Sequence, residues 1–124
     1  MKRILIVEDD RDLRFVIRMV VERAGYDVAE ARHGVAALES IGAEPPDLVI
    51  ADLTMPVMSG VELIDRIRSN PATASIPIVL LSGRHVDAAT SERVDAVVMK
   101  PFEPEDLLAR INRTLDADRG ELVT

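Results

Sequence analysis

The stretch Ile4-Leu5-Ile6-Val7-Glu8-Asp9-Asp10 sets four apolar residues directly against three acids. A strand that is apolar at every position has no side for solvent, so it belongs in the middle of a sheet covered on both faces. The same form returns in Leu48-Val49-Ile50-Ala51 before Asp52, in Ile78-Val79-Leu80-Leu81 before Ser82-Gly83, and in Val97-Val98-Met99 before Lys100-Pro101. Between these runs the period changes. Leu13, Val16, Ile17, Val20, Val21 and Ala24 follow helical spacing and Gly25 supplies a stop, which predicts an amphipathic helix over 11–24. Shorter helical patterns cover Val35 to Ile41 and Val61 to Ile67. Leu107, Leu108, Ile111 and Leu115 mark a last helix opened by Pro104. A weak strand fits 27–30, and the fourth helix is poorly marked.

Strand and helix thus alternate five times, and parallel strands with right-handed helical crossovers give a doubly wound α/β sheet of (βα)5 type. Ligands of such sheets bind beyond the carboxyl ends of the strands. Glu8, Asp9 and Asp10, then Asp52, Ser82 and Lys100, all fall at those ends. Carboxylates gathered within a few ångströms repel one another, and a hard divalent cation such as Mg²⁺, which takes oxygen ligands and tolerates substrate phosphate, relieves the repulsion. Lys100 neutralises a further charge, and the Ser82 hydroxyl suits a phosphoryl oxygen. Asp52, the lone acid closing a buried strand, is the expected covalent phosphoryl acceptor. Glu8 and Asp9 form the pair expected to hold the ion, and the loop from Thr54 to Gly60 has a backbone carbonyl to offer it. Asp10 is expected to cap the first helix.

Composition narrows the function classes. The chain has 124 residues, 15 Lys and Arg against 22 Asp and Glu, a net charge of −7, no cysteine and three aromatics, Phe15, Tyr26 and Phe102. One domain is expected, without disulfides, thiolate metal sites or a cysteine nucleophile. Apolar runs far shorter than the ~18–20 residues of a membrane span predict no membrane segment and a cytoplasmic location. Acidity and scarce aromatics argue against direct nucleic-acid binding. Residues 1–118 are read as the domain, and the polar stretch 119–124 as a tail or the start of a linker. His33 and His85 stand apart and form no metal site. Phe15 and Met19 lie off the core stripe of the first helix, beside the acceptor rim, where a phosphoryl-donor partner could make contact.

Four motifs in order, ILIVEDD at 4–10, DLVIADLTMPVMSG at 47–60, IPIVLLSG at 76–83 and VVMKPF at 97–102, make the chain similar to the receiver domains of two-component response regulators, over roughly residues 2–116. The resemblance implies a flavodoxin-like sheet of strand order 2-1-3-4-5. It implies Asp52 as phosphoacceptor, Glu8 and Asp9 as the acid pair, and Ser82, 30 residues after Asp52, as the hydroxyl. It further implies Lys100 as the ammonium, Thr54 as the donor of a carbonyl to Mg²⁺, and a cis Lys100-Pro101 bond. A histidine kinase or histidine phosphotransfer protein would then be the donor, with an output protein or effector domain downstream. The chain would be a signalling switch rather than an enzyme, assisting its own phosphorylation and dephosphorylation.

Two features depart from that family. Val97 stands where relatives carry Tyr or Phe three residues before the lysine, so the usual aromatic switch cannot operate in its usual form. The segment from Ser82 to Lys100 is shorter than is common there, which predicts a short or irregular fourth helix. Two other readings compete: a receiver-fold scaffold that works without phosphorylation, and an aspartyl-nucleophile phosphatase. The phosphatase needs a second acid two residues after its nucleophile, and Thr54 occupies that place.

Overall fold

Five strands alternate with five helices in the computed structural model, which describes residues 1–120. In chain order they are β1 (Arg3–Val7), α1 (Arg11–Arg23), β2 (Asp27–Ala31), α2 (Gly34–Ala43) and β3 (Leu48–Asp52). They continue with α3 (Gly60–Ser69), β4 (Ile78–Ser82), α4 (Ala88–Ser91), β5 (Ala96–Met99) and α5 (Pro104–Gly120). All strand pairs are parallel, in the order β2-β1-β3-β4-β5. This is the flavodoxin-like doubly wound arrangement expected. The register sets Val7 against Ala51, Asp52 against Leu81 and Ser82 against Met99, so the strands end level on one rim.

The unbroken apolar runs are explained by the two faces they serve. Successive residues of a strand point to opposite sides. Leu5, Val7, Val49, Ala51, Ile78 and Leu80 pack with Ala37 and Ile41 of α2 and with Leu63, Ile64 and Ile67 of α3. Ile4, Ile6, Leu48, Ile50, Val79 and Leu81 pack with Ile17 and Val21 of α1 and with Leu107, Ile111 and Leu115 of α5. Neither face is left to water, and no position on β3 or β4 is exposed.

Local chemistry places the helix ends. Asp10 caps α1 as expected, accepting from the amides of Asp12 and Leu13, and Gly25 follows that helix with φ +95°, a conformation that favours glycine. Ser59 and Glu62 form a reciprocal capping box at α3. His33 caps α2, its Nδ1 accepting from the Ala36 amide at 3.1 Å. α4 is a single turn of four residues, the short fourth helix predicted. α5 runs to Gly120, so Arg119 and Gly120, read as the start of a polar tail, belong to that helix; residues 121–124 lie outside the described residues. Among the described residues no helix is long and apolar enough to cross a membrane.

At the end of the sheet opposite the rim, Arg68 of α3 holds several segments together. Its Nε donates to the Arg93 carbonyl at 2.9 Å. Its Nη1 donates to the carbonyls of Ala74 and Ile76 at 2.8 and 2.7 Å. Nη2 reaches Asp95 Oδ2 at 3.2 Å, and the same carboxylate oxygen accepts the Ile78 amide at 2.7 Å. Arg93 is in turn paired with Asp65. One guanidinium thereby ties the end of α3 to the starts of β4 and β5.

Candidate functional site

The rim brings together Glu8, Asp9, Asp52 and Lys100, as the strand ends predicted. One carboxylate oxygen each from Glu8, Asp9 and Asp52 lies within 4.8 Å of the others. Glu8 and Asp52 are buried while Asp9 is exposed, so the cluster opens to solvent on the Asp9 side. Lys100 follows β5 and reaches over the rim. Its Nζ donates to Asp52 Oδ2 at 2.5 Å and stands 3.8 Å from Glu8 Oε1. Only 28% of the Lys100 side chain is exposed, which strengthens its attraction for the carboxylates relative to a surface pair. The Lys100-Pro101 peptide is cis, as the resemblance implied.

Asp52 is held from both sides. Oδ1 accepts the Thr54 amide at 3.0 Å while Oδ2 takes Lys100. The following loop is folded back against it: the Gly60 amide donates to the Leu53 carbonyl at 2.8 Å. A Cβ on Gly60 would stand 2.4 Å from the Asp52 carbonyl oxygen and 2.7 Å from Leu53 Cα, so only glycine fits. The loop is also packed from α2, where a Cβ on Gly34 would meet the side chain of Met58. At its tip Val57 has φ +69° and is 84% exposed, a strained conformation for a β-branched residue.

Glu8 is the most perturbed group of the site. It is 1% exposed, and its carboxyl is pushed up from 4.5 to about 8, first by burial and then by the neighbouring Asp52. Its Oε2 accepts the Asp10 amide at 3.0 Å, but its buried Oε1 has no donor within hydrogen-bonding reach. A proton on Glu8 itself, directed at Asp52, would satisfy that oxygen. So would a cation.

Ser82 is brought to the rim, yet its hydroxyl is turned into its own loop. Oγ donates to the Arg84 carbonyl at 2.5 Å and accepts the Arg84 amide at 3.1 Å. Its backbone carbonyl accepts the Lys100 amide at 2.7 Å, which keeps the two residues side by side. Val97, in place of an aromatic, is half-buried against the core. His85 borders a cavity of about 300 Å³ between the β4–α4 loop and α3, and His33 is the α2 cap. Phe15 is 60% exposed on α1.

Sequence reasoning missed Arg14. It is not among the apolar positions that defined α1, yet its guanidinium reaches both the Glu8 carbonyl and Glu30. A basic residue one turn beyond an acid pair was the available signal.

Comparisons with known proteins identify the family and the fold. Residues 4–112 match the family model described as response regulator receiver domain. The chain is 40% identical over 130 residues to the sensor histidine kinase TmoS of Ectopseudomonas mendocina, covering 97% of this chain and 13% of that protein. It is 34% identical over 118 residues to the phosphate regulon transcriptional regulatory protein PhoB of Pseudomonas aeruginosa, covering 92% and 52%. The chain thus spans about half or less of the length of these curated relatives. Among solved structures, a CheY-like response regulator receiver domain protein from Methanospirillum hungatei superposes with a TM-score of 0.87 at 30% identity, covering 98% of both chains. With the matched family model spanning most of its length and an acidic rim in the expected place, the chain belongs to the response regulator receiver domains, phosphorylation-controlled signalling switches of two-component systems.

Proposed function

We propose that Asp52 accepts a phosphoryl group from a phosphohistidine on a histidine kinase or histidine phosphotransfer protein. In this reading Glu8, Asp9, Asp52 and the backbone carbonyl of Thr54 hold Mg²⁺, and Lys100 and Ser82 receive the phosphoryl oxygens. The observation that carries it is the Lys100–Asp52 contact of 2.5 Å inside the cluster of three acids. The residues fit the ion: every side-chain donor is a carboxylate oxygen, as Mg²⁺ prefers, and the buried Glu8 Oε1 has no hydrogen-bond partner. When bound, Mg²⁺ neutralises charge on the incoming phosphoryl group.

The residues then act by position and charge. An Asp52 carboxylate oxygen attacks phosphorus in line with the bond to the donor imidazole. The new P–O bond forms as the P–N bond breaks, its electron pair returns to the ring nitrogen, and a proton from solvent completes the neutral imidazole. The Lys100 ammonium passes from the carboxylate to a phosphoryl oxygen, and the Ser82 hydroxyl turns from Arg84 towards another. Water later hydrolyses the acyl phosphate in the same pocket, so the domain assists both its loading and its reset. Residues 1–118 act as the receiver unit. The protein works in the cytoplasm. A net charge of −7 leaves nucleic-acid contact, where a longer protein makes it, to another domain.

Incubation with acetyl phosphate or phosphoramidate and Mg²⁺, followed by intact mass measurement, tests this. One added phosphoryl group is expected, absent in Asp52→Asn and after chelation. No adduct with any divalent cation overturns the reading in favour of a scaffold, and continuous turnover of phosphate esters overturns it in favour of a phosphatase.

A further inference from the structure

Glu8 and Asp9 are joined by one peptide unit, whose planarity makes its carbonyl oxygen a handle on both residues. Arg14 holds that handle: Nη1 donates to the Glu8 carbonyl at 2.7 Å. The guanidinium is itself braced, because Nε donates to Glu30 Oε1 at 3.0 Å, and the other oxygen of Glu30 is taken by Arg18. Arg18 is steadied in turn by Glu22 at 3.3 Å. The Glu8 amide is fixed from the same strand, donating to the Ala31 carbonyl at 3.0 Å. The end of β2 therefore secures the acid pair twice, once directly through Ala31 and once through Glu30 and Arg14.

We propose that Arg14 is a positioning residue for the divalent-cation site, holding the Glu8–Asp9 peptide so that both carboxylates face Asp52. The inference rests on the reading of that cluster as the Mg²⁺ site. Its physical basis is the demand of Mg²⁺ for near-octahedral geometry at short distances, which a backbone free to rotate about Glu8 does not supply. Helix stability does not require Arg14. α1 is already anchored by buried Ile17 and Val21 and capped by Asp10, and the Arg14 bond goes to a carbonyl outside the helix. Its side chain is only 17% exposed, so the bond competes with little water and is charge-assisted.

The test is Mn²⁺ titration of the full chain by calorimetry, with the unfolding midpoint measured alongside. Arg14→Met keeps the aliphatic stem and removes both donors. It is expected to weaken Mn²⁺ binding by about tenfold to a hundredfold, the range typical of groups that orient metal ligands. Glu30→Ala, a surface change that leaves Arg14 unbraced, is expected to weaken binding in the same direction by less. Arg18→Met keeps the Arg14–Glu30 contact and is expected to have the smallest effect of the three. Faster hydrogen exchange at the Asp9 and Asp10 amides should accompany the loss in Arg14→Met. Should Arg14→Met fail to fold, Glu30→Ala and Arg18→Met decide the matter by their order. An Arg14→Met protein with a lowered unfolding midpoint but wild-type Mn²⁺ affinity overturns the proposal, because its role is then structural only. A wild-type chain that binds no Mn²⁺ overturns the metal-site reading beneath it, a distinguishable result.

Discussion

Replacing Glu8 with Gln keeps its shape and removes its proton, and the structure states what that should do to stability. In the folded protein the Glu8 carboxyl is pushed up to about 8, against 4.5 for the ordinary group. Below about 4.5 both folded and unfolded chains carry the proton, and its stabilising contribution is complete. Between about 4.5 and 8 the unfolded chain loses the proton while the folded chain keeps it, so stability falls as pH rises. Above about 8 the contribution is gone. The difference, 8 − 4.5 or about 3.5 units, corresponds to about 5 kcal/mol at ~1.4 kcal/mol per unit. Urea unfolding in the presence of a chelator, at intervals from pH 5 to pH 8.5, reads it directly. Wild-type stability minus that of Glu8→Gln should fall by about 1.4 kcal/mol per pH unit up to about pH 8 and level off beyond it. Parallel curves for the two proteins would refute the assignment of the proton to Glu8. The same proton must leave when a cation binds. At pH 7 calorimetry in two buffers of different ionisation enthalpy should detect close to one proton released per Mg²⁺, with affinity falling about tenfold per unit below pH 8.

Other positions give sharp expectations. Arg68→Met strips three carbonyls and Asp95 of their donor at the foot of the sheet and should cost about 3 kcal/mol in denaturant unfolding; a loss under about 1 kcal/mol would show that water replaces it. Gly60→Ala drives a methyl into backbone atoms of Asp52 and Leu53. A loss of about 1–3 kcal/mol from overpacking is expected, together with slower phosphorylation by acetyl phosphate as the acceptor shifts. Val57→Gly relieves a left-handed valine whose side chain is exposed. The relief of about 1–2 kcal/mol exceeds the ~0.5–1 kcal/mol of added backbone freedom in the unfolded chain, so the thermal midpoint should rise slightly; a fall would reveal a contact made by the valine.

What the sequence made legible follows from which forces are local. The strands were readable because a residue run buried on both faces leaves no polar position, as in Leu48 to Ala51, and because the first polar residue after each run marks the rim. Asp10 and Gly25 were readable because capping and left-handed turns act within a few residues. The acidic cluster and its lysine were readable once the strands were parallel, since topology alone then brings Glu8, Asp9, Asp52 and Lys100 together. The remainder depends on side chains meeting across long separations. Nothing near Arg68 in the chain announces its bonds to Arg93 and Asp95, and nothing near Arg14 announces Glu30. The Ser82 hydroxyl illustrates a different limit: its position follows from its strand, but its rotation towards Arg84 is chosen by the loop. The His33 cap was hidden because imidazole is an uncommon acceptor at that place, where Ser, Thr, Asp or Asn is usual.

The Arg68 contacts also decide where the molecule can yield. They bind the beginnings of β4 and β5 to α3, while the far tips of the same strands carry Ser82 and Lys100 and lead into a connection with only one helical turn. If Asp52 takes up a charge, the segment from Gly83 to Asp87 is expected to shift more than the end tied near Ile78 and Asp95. With Val97 at the place of an inward-turning ring, a shift confined to that end of β4 and β5 would be the change for a partner to read, and hydrogen exchange at Gly83 to Asp87 with and without acetyl phosphate measures it.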